Sequence, residues 1–231
     1  MFQGFHKKGF QFLKELKKHN SREWFMDHKD DYELFLREPS KELIAEMEQL
    51  FIKLQLPYEA TPKKSLFRIN RDIRFSKNKN PYKTNIGISF PVIRDASITS
   101  STGKTEVPGA YLHIEPNACF IAGGLYMPDS RQLKAVRERI ENDWKKLHAM
   151  QQSSAFRKAF PSGLIGEKVK TMPRGFDPEH PGREYLRMKQ FIVMESIPDQ
   201  LVQSADLIKE LLSKAKAMAA IMMYLNEAIS D

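Results

Sequence analysis

The sequence predicts an α+β fold with a largely antiparallel central sheet, and three observations predict it. Apolar residues recur at helical spacing over the first sixty positions. The period then falls towards two at Phe67 and stays short through Leu125 before lengthening again. Finally, helices, strands, a helix, a last strand and a helix follow in that order, without the strand–helix alternation of a doubly wound sheet. No internal repeat and no convincing linker interrupts the chain, so one domain over residues 1–231 is expected, with helices from both chain ends packed on the sheet.

The elements follow from local pattern. Phe5, Phe12, Leu13 and Leu16 share one helical face, which ends near His19-Asn20. Ser21 can cap a second helix carrying Phe25, His28, Tyr32 and Phe35, and Pro39-Ser40 restarts the chain for a third, with Leu43, Met47, Leu50 and Leu54. Phe67, Ile69, Ile73 and Phe75 alternate with Arg68, Asn70, Asp72 and Arg74, the pattern of a strand with one polar face. Arg71 falls on its apolar side and needs a carboxylate partner, for which Asp72 and Glu115 are the nearest candidates. Ile86, Ile88 and Phe90 read as a second strand. Tyr111–Glu115 and Ala118–Leu125 flank Pro116-Asn117 as a hairpin. The Ser- and Thr-rich stretch between them, centred on residues 96–106, reads as a loop. Asp129 or Ser130 caps a long helix with Leu133, Val136, Ile140, Trp144 and Leu147. Gln190–Glu195 reads as the last strand and Asp199 onward as helix, with Met218, Met222 and Met223 in its core.

Charge is the most pointed functional signal. Residues Lys63–Lys83 hold eight basic side chains and one acid, whereas the rest of the chain carries 29 basic against 28 acidic residues. A nearly neutral protein with one cationic stripe attracts an anionic partner. On a strand, Arg68, Asn70, Asp72 and Arg74 would project together, two guanidiniums holding a phosphate or carboxylate bidentately while Asp72 orients them or acts as a base. Arg71, Lys79, Tyr82 and Lys83 extend that anion-binding set, and a solvated, salt-bridged sheet face is the alternative. His113 and Glu115 sit two residues apart on one strand face beside Tyr111, a pair suited to acid–base work; as metal ligands they lack a third partner. The rigid loop Pro173–Pro181 offers Arg174 and His180 as anion contacts at a cleft rim. The stripe and the His113–Glu115 face are expected to line one cleft.

Other chemistries find no support. There is no phosphate-binding GxxxxGK[ST] loop, no GxSxG elbow, no HExxH helix and no Cys–His metal spacing, and Gly123-Gly124 lacks the third glycine of a dinucleotide fingerprint. No cofactor and no metal is named by the pattern. Apolar runs fall short of the roughly 18 residues that span a bilayer, and the N-terminal stretch lacks the apolar core of a secretory signal. A lone cysteine, Cys119, fits a reducing compartment, so a cytoplasmic location is expected.

The strings LKKHNSREWFMDHKDDY, FRINRDIRFSKNKNPYKTNIG, GAYLHIEP followed by AGGLYMP, and PRGFDPEHP resemble a family of conserved hypothetical proteins, domain of unknown function 2461. The resemblance runs in order from about Phe10 to Leu225 and leaves Cys119 and the polar loop at residues 96–106 outside its pattern. It implies a single domain and transfers no catalytic residue. From the residues themselves the leading expectation is a domain that binds or acts on a small phosphate- or carboxylate-bearing ligand. A nucleic-acid-binding module built on Lys63–Lys83, with Phe67, Phe75 and Tyr82 among its cations, and a domain docking on an acidic protein are the alternatives.

Overall fold

Residues 1–74, 76–93 and 106–230 are described by the computed structural model. The expected loop at 96–106 lies, but for Glu106, outside them. Helix α1 (Lys7–Lys18) buries Phe10, Phe12, Leu13 and Leu16, and Nδ1 of His6 caps it by accepting from the Lys8 amide. Ser21 caps α2 (Arg22–Asp27) as expected, its hydroxyl accepting from the Trp24 amide at 3.2 Å. The chain then runs through α3 (Lys29–Tyr32), a π turn (Glu33–Arg37) and α4 (Glu38–Lys53). Pro39 therefore does not restart the chain. Having no N–H, it cannot bond the carbonyl four residues back. The turn before it widens, Glu38 donating to the Glu33 carbonyl, and Ser40 Oγ takes the Leu36 carbonyl at 2.6 Å. Gly9 of α1 backs onto this turn; a Cβ there would lie 2.7 Å from the Phe35 oxygen.

Four strands hydrogen-bond in the order β1 (Ile86–Pro91), β2 (Gly109–Ile114), β3 (Phe120–Leu125) and β4 (Phe191–Ser196), and the sheet is antiparallel. The β2–β3 hairpin turns at Pro116-Asn117, where Asn117 takes the left-handed conformation with φ 65° and the Ala118 amide donates to the Glu115 carbonyl. The α+β class holds.

Over its described residues, 67–74, the strand expected at Phe67–Phe75 does not form, and Phe75 lies outside the described residues. After the short helix α5 (Pro62–Ser65), the chain touches the segment beyond it at two antiparallel bridges, Leu66 with Ile88 and Asn70 with Tyr82. Between those bridges three residues (67–69) oppose five (83–87), so no common register connects them. Past Arg71, whose amide still donates to the Pro81 carbonyl, side chains capture the backbone locally: the Asp72 carboxylate accepts from the Arg74 amide at 3.2 Å, and Asn78 Oδ1 from the Asn80 amide at 2.9 Å. Side chains that close such turns compete with a ladder. The alternation of apolar and polar residues is real, but the asparagines and the aspartate divert the backbone.

The chain falls into two compact units. One comprises Met1–Phe90, Tyr111–Ile121 and Ser196–Leu212, the other Pro91–Ala110, Ala122–Glu195 and Ser213–Asp231. In the first, Leu16, Leu36, Leu43, Met47, Ile88 and Leu112 are fully buried. Its last stretch holds α9 (Asp199–Val202), and the Phe5 amide donates to the Val202 carbonyl at 3.0 Å. In the second, α6 (Ser130–Gln152) starts at a capping box made by Asp129 and Gln132 and kinks at Asp143, whose carbonyl accepts from the Tyr224 hydroxyl. It is followed by α7 (Ser154–Ala159) and α8 (Arg183–Leu186); α10 (Asp206–Ser230) supplies this unit with the buried Met218, Ile221, Met222 and Leu225. No helix of the described residues is long and apolar enough to cross a membrane.

Candidate functional site

Strand alternation makes β2 two-sided: Leu112 and Ile114 go to the core, and Tyr111 and His113, followed by Glu115, share the opposite face. These three side chains form a hydrogen-bonded row. The Tyr111 hydroxyl lies 3.2 Å from His113 Nδ1, and His113 Nε2 lies 3.4 Å from Glu115 Oε2. The imidazole stacks flat on Phe120 of β3, with centroids 4.5 Å apart and 7° between planes. Asn85 Nδ2 also approaches Nδ1, at 3.4 Å. With two donors facing Nδ1, that nitrogen is the acceptor, which leaves the proton on Nε2 to be donated to the Glu115 carboxylate.

The electrostatics agree with that tautomer. Burial lowers the His113 pKa and outweighs the opposing pull of the Glu115 hydrogen bond and charge, so the ring is neutral at neutral pH. Burial also pushes the Tyr111 phenol up to about 12, keeping its proton in place to donate. Glu115 is the outer end of the row. Its Oε1 accepts from Thr84 Oγ1 and from Lys17 Nζ, each at 3.4 Å. An imidazole N–H, a hydroxyl and an ammonium converge on this carboxylate and fix its orientation.

Glu115 opens on a cleft of about 390 Å³ whose other walls include Gln11, Lys14, Lys17 and Lys18 of α1, with Thr84 and Asn117. Three lysines at i, i+3 and i+4 lie on one helix face. Lys17 pairs with Glu115 and Lys18 with Glu15, while Lys14 makes no ion pair among the described residues. The cleft thus presents three lysine ammonium groups beside two carboxylates, Glu115 and the Lys18-paired Glu15.

A family model described as conserved hypothetical protein (DUF2461) matches residues 8–224. The chain belongs to that family. No curated protein and no solved structure matches it. The DUF2461 match includes α1 from its second residue, the Lys63–Lys83 segment and the Tyr111–Glu115 row, so every part of this site lies within the family region.

The residues singled out in the sequence of this DUF2461 chain are placed unevenly. Arg74 grips Asp72 bidentately, Nη2 to Oδ2 at 2.7 Å and Nε to Oδ1 at 3.0 Å. Those bonds hold the Asp72 carboxyl well below the usual carboxylate range, so it is a poor base. Arg71, half-buried, gains neither of its expected partners, because Asp72 is taken by Arg74 and Glu115 by Lys17 and His113. Arg68 and Asn70 are exposed; Lys79 donates to the Ile73 carbonyl. Tyr82, expected to bind an anion, puts its ring in the core against Phe25, centroids 4.1 Å apart. Lys83 lies over the Phe67 ring. In the other unit Arg174 is exposed, and His180 is a staple, its Nε2 3.0 Å from the Glu141 carbonyl and its Nδ1 accepting from the Gly182 amide.

None of the eight stripe cations is among the residues that wall the α1 cleft, although Lys83 lies over Phe67, which packs on Tyr111 beside His113. Lys14, Lys17 and Lys18 do wall it, and the sequence signal for them is the spacing in KELKK, legible once α1 is drawn as a helix.

Proposed function

We propose that the protein binds, and acts on, a small anionic ligand in the α1 cleft. Lys14, Lys17 and Lys18 would neutralise its phosphate or carboxylate, and Glu115 would serve as the acid–base group. Glu115 carries this reading: it faces a cleft rich in ammonium groups and is simultaneously backed by the neutral His113. Convergent titratable groups in a concave, cationic site are the arrangement an active site requires. In this reading Asp72 has no catalytic role, and Arg68, Arg71 and Arg74 are not the primary ligand contacts. A cytoplasmic location goes with it, because Cys119 is a free thiol.

Thermal shift with inorganic phosphate, pyrophosphate and citrate tests the proposal. At about a hundred times its dissociation constant a bound anion stabilises the fold by about 2.7 kcal/mol. The Lys14→Met, Lys17→Met double variant should lose that response, whereas Arg68→Met should keep it. Equal responses from the wild type and the lysine variant would sink the idea, as would no response to any anion.

A further inference from the structure

The exposed side of the Lys63–Lys83 segment has a second feature that the cleft does not use. Phe67 is expected in a strand core, yet the residue is 44% exposed. It is not loosely placed. Its amide donates to the Gly87 carbonyl at 3.0 Å, and the ring lies so close over Gly87 that a Cβ there would fall 2.9 Å from a ring carbon. Tyr111 supports it from one side at 6.0 Å between centroids and 35° between planes. Lys83 Nζ sits 5.4 Å from its centroid. The result is a fixed, solvent-facing aromatic plate.

Cations without acidic partners occupy the same segment. Arg68 and Lys77 are exposed and Arg71 is half-exposed, and none of the three makes an ion pair among the described residues. The segment's one acid, Asp72, is already closed by Arg74. Burial lowers the Lys83 pKa and the nearby Arg68 adds to that, so like charges are crowded here, and Asp72, the one acid that Arg68 feels, is already held by Arg74. Charges left in that arrangement are stabilised when a polyanion arrives.

We infer that this surface binds single-stranded nucleic acid, with Phe67 stacking on one base and Arg68, Arg71 and Lys77 contacting backbone phosphates. An acidic protein would satisfy the cations but has no use for an exposed, immobilised ring. A duplex hides its base faces, so the ring favours an unpaired strand, whose every base offers a π-face. The inference is independent of the anion cleft, since none of these residues lines it.

Fluorescence anisotropy with labelled oligo-dT and oligo-rU of about twenty nucleotides, titrated with the full chain across a salt series, tests it. Binding to either strand supports the inference, and the ratio between them tells DNA from RNA. The logarithm of affinity should fall with the logarithm of salt by about 0.7 per phosphate contacted, and Arg68→Met with Arg71→Met should reduce that slope by about one to two units. Phe67→Ala should weaken binding about five- to a hundred-fold, and Phe67→Trp should restore it. Because Phe67→Ala also removes a packed ring, its melting temperature is compared with that of wild type, and the Phe67→Trp rescue separates stacking from folding. Lys14→Met, Lys17→Met should bind the oligonucleotides as wild type does, whatever its response to small anions. The inference is overturned by absence of binding, by a duplex binding as tightly as a single strand, by polyglutamate binding where oligonucleotides do not, or by a folded Phe67→Ala variant of unchanged affinity.

Discussion

The side-chain amide of Asn20 holds the backbone of Tyr82 at both ends: Nδ2 donates to the Tyr82 carbonyl at 3.1 Å, and Oδ1 accepts from the Tyr82 amide at 3.0 Å. One side chain thus stands in for a neighbouring strand. On the other side, Pro81 accepts from the Arg71 amide and the Lys83 amide donates to the Ile69 carbonyl. Asn20→Ala leaves two partly buried backbone groups without a partner and should destabilise the fold by about 1–3 kcal/mol in urea denaturation. Asn20→Asp keeps the acceptor, loses the donor and should fall between. A change below about 0.5 kcal/mol for the alanine variant would mean that water replaces the clamp.

His113 predicts a pH dependence. Its folded pKa lies below the usual histidine value of 6.5, because burial disfavours the charged ring. The unfolded chain therefore binds more protons as pH drops past that value, and stability rises with pH through the window. The contribution is complete above the unfolded value and is lost as pH falls towards the folded one. Melting temperatures measured at about pH 7.5 and about pH 5.5 should show a larger drop for wild type than for His113→Gln. Parallel drops would indicate that the ring is solvated.

Cys119 should be inert in the folded protein. It is 2% exposed, its thiol donates to the Glu115 carbonyl at 3.2 Å, and burial pushes its pKa up to about 12. The thiolate is the reactive form, so Ellman's reagent should label the native protein slowly and the urea-unfolded protein at once. Rapid stoichiometric labelling without denaturant would contradict the burial.

Gly87→Ala should damage two features together. Its Cβ would meet the Tyr111 hydroxyl at 2.7 Å and the Phe67 ring at 2.9 Å. Overpacking of this kind destabilises by about 1–3 kcal/mol. It should lower the melting temperature by several degrees, roughly 2–4 °C per kcal/mol in a chain of this size. If the substituted protein melts as wild type does, the Phe67 ring is free to move aside, and its role as a fixed plate fails with it.

Where local pattern and tertiary packing agree, the fold was legible. The shared face of Phe12, Leu13 and Leu16, Ser21 as a cap, the Pro116-Asn117 turn and the Asp129 cap each describe a short-range interaction, and each is realised, whereas Phe5 precedes the helix. The misreadings come from competition that a period does not reveal. Pro39 looks like a break until a widened turn absorbs it, and the alternation from Phe67 to Phe75 looks like a strand until Asp72 and Asn78 capture the backbone. His113 and Glu115 were readable as a pair, because two residues on one strand face must meet. Their link to Lys17 joins positions 98 apart in sequence, and no local rule predicts it.

The two mismatched bridges beyond β1 bear on how this protein behaves in a crowded solution. An outer strand with open amides and carbonyls is a template on which a second chain can add. Here the outer side of β1 receives Leu66 and the Phe67 amide, and the covering segment then turns away with three residues set against five. The cover is too irregular to be copied by another strand, and its arginines and lysines repel their counterparts on an approaching molecule. Replacing those cations with neutral residues would therefore remove a guard against sheet-to-sheet growth, whatever the segment binds.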